Sequence, residues 1–248
     1  MRIIFSYVLS LIGLIIISPI IILFMFLIYF GDFNNPFYVS KRVGMNGKIF
    51  NLIKFRSMKV NNLSNKISST SDNDKRITRL GSFIRKYKID ELPQLINVLF
   101  FNMTLVGPRP NVIQETRMYT NEEKKLLSVK PGITDIASIV FSDEGAILSK
   151  YKNANLAYNQ LIRPWKSQLG IIYVENKSII FDLYIILLTI ISIVKKDKAL
   201  ILLNKKLIKF QLDRELLEII LRNSPLSPSP PPGSKNVISE REIEDNYL

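Results

Sequence analysis

The chain has 248 residues, with 34 Lys and Arg against 21 Asp and Glu, and it contains neither Cys nor His. The lack of Cys excludes disulfides and thiol nucleophiles, and the lack of His excludes a Ser-His-Asp triad and His-ligated zinc. Any metal is therefore expected to be a hard ion such as Mg²⁺ with oxygen ligands, and catalysis falls to Asp, Glu, Lys, Tyr, Ser or Thr. The net charge of +13 indicates anionic partners: nucleic acid, phosphorylated substrates or a membrane surface.

The N-terminal segment carries no charged residue between Arg2 and Asp32. As a helix it is long enough to cross a hydrocarbon core of about 30 Å. Pro19, near its middle, cannot donate a hydrogen bond to the carbonyl four residues earlier, and the Ser18 hydroxyl can satisfy a backbone group that is freed in this way. Two topologies follow from these residues: a kinked span, or a helix that turns at Ser18-Pro19 and returns to the same face.

The next segment, residues 38–58, predicts a β-hairpin with Asn46-Gly47 as its turn. Lys54 and Arg56 are two residues apart in the second strand, so they point to one face, either as a functional pair or as solvated charges at a sheet edge. Polar residues 61–75 predict a mobile loop. Residues 76–89 predict a basic amphipathic helix, which lies either at lipid headgroups or on the core.

Asp90 and Glu91 come just before the apolar run from Leu95 to Phe101. Asp90 is predicted as the N-cap of a helix, where an ionised carboxylate, an incoming phosphate and a divalent cation are all favoured; the alternative is simple capping. Further on, Pro108 and Pro110 hold Arg109 extended, which suits phosphate binding or a rigid connector. Residues 131–134 predict a turn.

The C-terminal third begins with an apolar run from Ser178 to Val194, which Asp182 interrupts. This run predicts a helix packed on the domain rather than a second membrane crossing. Residues 205–222 predict a further amphipathic helix. Residues 224–234 contain five prolines and predict a linker or a disordered segment, followed by a mobile acidic tail.

Several of these stretches together resemble the bacterial sugar transferase family, the small monotopic phosphoglycosyl transferases. The resemblance rests on the Ser18-Pro19 segment, on Lys54-Phe55-Arg56-Ser57-Met58, on TRLGSFIRKYKIDELPQLINVL (78–99), on LVGPRP (105–110) and on KPGIT (130–134). Their order and spacing agree over roughly residues 1–195. After KPGIT the chain departs from the Gly-Trp-rich continuation of longer members, which leaves the sugar open, with an N-acetylated UDP-sugar favoured by analogy.

The resemblance implies transfer of a phosphosugar from a UDP-sugar to polyprenyl (undecaprenyl) phosphate, with Mg²⁺ as cofactor and UMP as leaving product. It implies that Asp90 is the nucleophile, which forms a covalent phosphosugar intermediate, and that Glu91, together with Asp90, holds the metal. It also places substrate-binding roles on Lys54, Arg56, Arg85 and Arg109. For the N-terminal segment it implies a reentrant helix broken at Ser18-Pro19.

The predicted fold class is a membrane-associated α+β protein with a reentrant helix, a small hairpin and amphipathic interfacial helices around a compact cytoplasmic domain. The predicted parts are the membrane helix (1–32), the transferase domain (33–200), a C-terminal helix (201–223) and a proline-rich linker with an acidic tail (224–248). The predicted location is the cytoplasmic face of a bacterial inner membrane, in contact with its lipids and without a nucleic-acid partner. The alternatives are a non-catalytic, membrane-anchored module that binds anionic lipid or nucleic acid, and a single-span membrane protein with a scaffold domain.

Overall fold

The computed structural model of the protein describes residues 1–60, 74–240 and 242–243. Most of this part is helical, and its strands form two small sheets. The helices are α1 (Arg2–Asp32), α2 (Arg79–Lys86), α3 (Gln94–Leu99), α4 (Ile113–Arg117), α5 (Ile136–Val140), α6 (Glu144–Leu148), α7 (Ala154–Ala157), α8 (Arg163–Asn176), α9 (Ile179–Val194), α10 (Lys196–Leu207) and α11 (Arg214–Leu221). The strands are β1 (Phe37–Val43), β2 (Ile49–Phe55), β3 (Thr104–Val106) and β4 (Gly132–Thr134). Residues 61–73 of the predicted loop lie outside the described residues.

The predicted hairpin is confirmed. Strands β1 and β2 pair antiparallel from Phe37 opposite Phe55 to Val43 opposite Ile49. Asn46 and Gly47 both have positive φ, 56° and 76°, in the turn between them. Asn and Gly tolerate this conformation, which is why they mark the turn in the sequence.

A second, parallel pair joins β3 to β4, so residues 132–134 form a short strand rather than the predicted turn. Two glycines allow the strands to approach: a Cβ on Gly132 would lie 2.0 Å from the backbone nitrogen of Gly107. The Gly107 N–H donates to the carbonyl of Thr134 at 3.0 Å, and the Gly132 N–H donates to that of Pro108 at 3.1 Å. This strand pairing fixes the backbone that leads into Arg109.

The main core lies among α5, α8, α9, α10 and α11. Helix α9 packs on this core, as predicted, and Asp182 in its first turn is buried. The Asp182 carboxylate accepts a hydrogen bond of 2.7 Å from the Tyr173 hydroxyl, so the charge that interrupts the apolar run has a partner inside the domain.

Helix α1 is long and apolar enough to cross a membrane by its length and composition. It continues as one helix through Ser18 and Pro19, where the reentrant prediction placed a break. The Ser18 hydroxyl donates at 2.8 Å to the carbonyl of Ile15, which is the group that Pro19 cannot serve. The predicted role of Ser18 is thus confirmed, whereas the predicted break is not.

Both ends of α1 are bound to the rest of the protein. At its start the Arg2 guanidinium donates to Asp182 at 2.9 Å, and at its end Asp32 accepts two hydrogen bonds of 2.6 Å from Arg56. Between the ends, Tyr7 stacks on Phe101 with ring centroids 4.9 Å apart. One side of α1 therefore lies along the domain, while most of its apolar residues are exposed.

Two predictions for the C-terminal region are corrected. The single helix predicted over 205–222 is two helices, α10 and α11, because the chain turns at Gln211, which has a φ of 54°. The predicted linker and the residues after it lie against the domain: the Ser229 N–H donates to the carbonyl of Gln160 at 3.0 Å, and the Gln160 side-chain amide donates to the carbonyl of Ile238 at 2.8 Å. Composition alone does not reveal these hydrogen bonds. The acidic tail after residue 243 is outside the described residues.

Candidate active site

Asp90 and Glu91 lie on a short 3₁₀ turn, Ile89–Glu91, between α2 and α3. Helix α3 starts only at Gln94, and Pro93 occupies its N-cap position. The prediction of Asp90 as an N-cap is therefore wrong, because the 3₁₀ turn separates its carboxylate from the first amides of α3. The consequence is chemical: the Asp90 carboxylate is not used for capping, and its Oδ1 is buried without a hydrogen bond.

Glu91 is held by two cations. Its carboxylate accepts hydrogen bonds from Arg109 at 2.6 and 3.1 Å in a two-pronged arrangement, and one from the Lys54 ammonium at 3.2 Å. Burial alone would raise the pKa of Glu91, but the charges of Arg109 and then Lys54 outweigh it and hold the pKa well below its usual range. Glu91 is thus an ionised carboxylate fixed in one orientation.

Asp90 has the opposite electrostatic environment. Burial, and then the negative charge of Glu91, raise its pKa. Three cations act against this shift: Lys54, Lys88 and Arg85. Two neighbouring carboxylates whose pKa values are pushed apart are typical of groups that take different chemical roles.

The second strand and α3 place Lys54 beside this pair. The Asn97 side chain in α3 accepts from the Ile53 N–H at 3.0 Å and donates to the carbonyl of Asn51 at 2.7 Å. These contacts fix α3 to the edge of β2 next to Lys54. Burial, and then the charge of Arg109, lower the pKa of Lys54 to about 8, although Glu91 acts in the other direction.

The loop after β3 places Arg109. The backbone N–H of Arg109 donates to the Asp135 carboxylate at 3.3 Å, and the pairing of β3 with β4 fixes the backbone before it. The structure thus brings together four of the predicted site residues: Lys54, Asp90, Glu91 and Arg109. Arg85 lies in the last turn of α2 and is half-buried, and it contributes positive charge to Asp90.

Arg56 is placed differently from Lys54. Its guanidinium binds Asp32 at the end of α1 and also donates to the carbonyl of Asn35 at 2.7 Å. The predicted substrate-binding role of Arg56 stays a prediction, while the structure shows its side chain tying α1 to the hairpin.

The profile of the Bacterial sugar transferase family matches residues 1–196. The chain belongs to this family. The match covers α1, the hairpin and the Asp90-Glu91 turn, and it ends at the start of α10.

Curated relatives of this bacterial sugar transferase agree. The UDP-glucose:undecaprenyl-phosphate glucose-1-phosphate transferase of Escherichia coli is 32% identical over 187 residues, which are 74% of this chain and 38% of the relative. The exopolysaccharide production protein ExoY of Sinorhizobium fredii is 31% identical over 75% of this chain and 82% of its own length. The undecaprenyl-phosphate galactose phosphotransferase of Salmonella typhimurium is 40% identical over 53% of this chain and 31% of its own length. Apart from ExoY, the chain spans only about a third to two fifths of the length of the curated relatives that it matches most strongly.

The donors at the pair suit Mg²⁺ that is shared with a substrate. Within the described ranges no group of three or more acidic side chains is arranged to hold a metal by itself. Mg²⁺ is usually bound by one or two carboxylates together with substrate phosphates. Asp90 and Glu91 supply oxygens of this type, and Oδ1 of Asp90 has no hydrogen bond. The residues therefore fit such an ion.

One residue near this site was missed by the sequence reasoning. Arg42 in β1 lies opposite Phe50 in the hairpin, four residue pairs away from the Tyr38–Lys54 pair and on the same face. The period-2 alternation of the hairpin, counted from Lys54, was the signal that could have found it.

Proposed function

We propose that this protein transfers a phosphosugar from a UDP-sugar to polyprenyl phosphate, with UMP as the other product, at the Asp90-Glu91 turn. The observation that carries the proposal is the difference between the two carboxylates. Glu91 is paired with two cations, whereas Asp90 keeps a buried oxygen without a partner, inside a chain of the Bacterial sugar transferase family. The named activities of the relatives support the same reaction class.

In this proposal Asp90 is the nucleophile. One of its carboxylate oxygens attacks the sugar-bearing phosphorus, the bond to the bridging oxygen of the diphosphate breaks, and UMP leaves with that electron pair. The polyprenyl phosphate then attacks the same phosphorus and releases Asp90. Desolvation of the carboxylate in its buried position makes it a better nucleophile than it is in water.

The cations around Glu91 bind and orient the diphosphate. Arg109 and Lys54 pair with Glu91, and Lys88 and Arg85 add positive charge at Asp90, so four cations outnumber the two carboxylates and the cluster keeps net positive charge for phosphate oxygens. Bound Mg²⁺ would supply charge neutralisation on the diphosphate, and Asp90 and Glu91 are the residues that would hold it.

The proposed membrane arrangement follows from the two ends of α1. A helix that crosses the bilayer separates its ends by the full membrane, whereas Arg2 and Asp32 each bind a residue of the domain. We infer that both ends lie on the cytoplasmic face of a bacterial inner membrane, with the exposed apolar side of α1 in the lipid. The site then opens where a soluble UDP-sugar and a membrane-bound polyprenyl phosphate meet.

The reaction is tested by UMP release across a panel of UDP-sugars, with polyprenyl phosphate and Mg²⁺ present. At least one UDP-sugar should release UMP, release should stop in EDTA, and added Mg²⁺ should restore it. Absence of UMP release with every sugar would contradict the proposal and favour the non-catalytic module. Full activity in chelator would contradict the metal assignment alone.

The arrangement of α1 is tested by single cysteines in this Cys-free chain. One is inserted between Met1 and Arg2, and the other replaces Asn34. An impermeant thiol reagent should reach both from the cytoplasmic side. A reaction of the N-terminal probe from the periplasmic side alone would mean that α1 crosses the membrane.

A further inference from the structure

The face of the hairpin that carries Lys54 also carries a second cationic side chain, Arg42, which forms no ion pair with Asp90 or Glu91. Tyr38, Ser40 and Arg42 alternate along β1, and the register places Tyr38 directly opposite Lys54. Directly opposed residues on antiparallel strands share a face, so Ser40 and Arg42 lie on the face that presents Lys54 to Glu91. The end of β1 is also tied to the Arg109 loop, because the Val43 N–H donates to the carbonyl of Asn111 at 3.0 Å.

Arg42 differs from the other arginines that are enclosed in this region. Its Nε is buried without a hydrogen bond. Among the residues that the structure describes, no carboxylate forms an ion pair with Arg42, whereas Arg109 is paired with Glu91 and Arg56 with Asp32. The Ser40 hydroxyl on the same face is likewise buried without a hydrogen bond.

An enclosed guanidinium without an ion-pair partner is electrostatically unfavourable. Burial, and then the positive charge of Arg109, lower the pKa of Arg42, and the opposing influence of Tyr38, Tyr158 and Glu115 does not offset them. Partly buried charges are ordinarily paired, and a site that holds cations together at this expense is suited to an oxyanion ligand. Arg42 and Ser40 are hydrogen-bond donors that match a phosphate.

The position of Arg42 along the strand favours contact with the UDP-sugar over contact with the phosphate of the polyprenyl substrate. Phe37 begins β1 and packs with Phe55 in a small cluster that includes Ile28 of α1, so this end of the hairpin lies at the membrane helix. Tyr38 and Arg42 are four residues apart, about 13 Å along an extended strand. Arg42 therefore lies at the end of the hairpin that is farther from α1, whereas the lipid-linked phosphate must approach from the membrane.

We propose that Arg42, assisted by Ser40, binds the phosphate of the UDP-sugar that stays with the nucleotide and leaves as UMP. The inference rests on the proposed function and names a positioning and leaving-group role within it. When Asp90 bonds to the sugar-bearing phosphorus and the bridging bond breaks, the electron pair goes to this phosphate. The positive charge of Arg42 stabilises the negative charge that grows on this phosphate, and no other reactant is needed.

The test compares Arg42→Gln with Arg42→Lys, Ser40→Ala and Lys41→Gln. Lys41 is the matched control, because it is an exposed cation on the same strand whose side chain points to the opposite face. Arg42→Gln should raise the inhibition constant of UMP about tenfold, while the KM for polyprenyl phosphate changes less than about twofold. Arg42→Lys should recover part of the UMP affinity, and Ser40→Ala should lower the UMP affinity about threefold. Lys41→Gln should behave as the unmodified protein.

Unchanged UMP inhibition in a folded Arg42→Gln protein would overturn this role, as would an equal loss in Lys41→Gln. A rise in the KM for polyprenyl phosphate without an effect on UMP would also overturn it, because Arg42 would then serve the lipid substrate. Thermal unfolding verifies the fold of each variant. Direct titration with UMP keeps the two proposals distinguishable: a protein that binds UMP through Arg42 but turns over no UDP-sugar contradicts the proposed function alone.

Discussion

Two buried ionic clusters in this molecule use the same kinds of side chain but differ in how far their polar atoms are satisfied. In the first, Arg163 donates to both oxygens of Glu123 at 3.1 and 2.7 Å and to Asn159 at 3.0 Å. Ser167 donates to the same Glu123 carboxylate at 2.7 Å. In the second, Lys54 and Arg109 bind Glu91, but Asp90 keeps an oxygen without a partner.

We infer that this difference separates a structural cluster from a reactive one. The Arg163–Glu123 cluster holds α8 to the segment after α4, and nothing in it is left for a ligand. The Asp90–Glu91 cluster holds one carboxylate rigidly and leaves the other available. Burial of an ionic group is thus no sign of a site by itself; buried polar atoms without partners are the better indication.

The largest expected effect is on turnover in Asp90→Asn. An amide cannot supply the attacking oxygen, so UMP release should fall more than about 10³-fold. The same variant should unfold at the same temperature or a higher one, because it removes a buried negative charge without breaking a hydrogen bond of Oδ1. Substantial residual release would rule out Asp90 as the nucleophile.

A large loss of stability is expected in the other cluster. Glu123→Gln leaves Arg163 buried beside a neutral side chain and should reduce the free energy of unfolding by about 3–5 kcal/mol. The adjacent Glu122, whose pair with Lys125 is exposed, is the control, and Glu122→Gln should lose less than about 1 kcal/mol. Denaturant unfolding in detergent measures both; equal losses would show that the buried cluster is not structural.

The pH dependence of turnover is expected to be bell-shaped. Activity should fall in acid as Asp90, whose pKa is raised, takes up a proton. It should also fall in alkali near pH 8, as the Lys54 ammonium loses a proton. Lys54→Arg should move the alkaline limb to higher pH, because a guanidinium remains protonated there. A pH–rate profile of kcat/KM tests this point, and an unchanged alkaline limb in Lys54→Arg would exclude Lys54 as its origin.

A small effect is expected for Arg56. Because Asp32 and Asn35 already occupy its guanidinium, Arg56→Gln should change the KM for the UDP-sugar less than about threefold, whereas Lys54→Gln should raise it tenfold or more. Steady-state kinetics of the two variants compares neighbouring cations of one motif. A comparable rise in both would return Arg56 to the substrate site.

Local sequence signals predicted the hairpin, its Asn46-Gly47 turn and the packing of α9. They also marked Lys54, the Asp90-Glu91 pair and Arg109 as separate candidates. Only the family resemblance placed the four residues in one site, because residues far apart in the chain carry no local sign of contact. The N-cap assigned to Asp90 failed because capping propensity does not reveal the 3₁₀ turn before α3. The packing of residues 224–240 was missed because it depends on hydrogen bonds to distant segments.

The central claim is that Asp90 carries the sugar phosphate covalently. The most direct measurement incubates the protein with a UDP-sugar labelled in the sugar-bearing phosphate, withholds polyprenyl phosphate, and maps the label by peptide analysis under mildly acidic conditions. We predict label on the peptide that contains Asp90, its absence in Asp90→Asn, and its release to lipid when polyprenyl phosphate is added. Label on a different residue, or UMP release that proceeds with no labelled protein, would contradict the account.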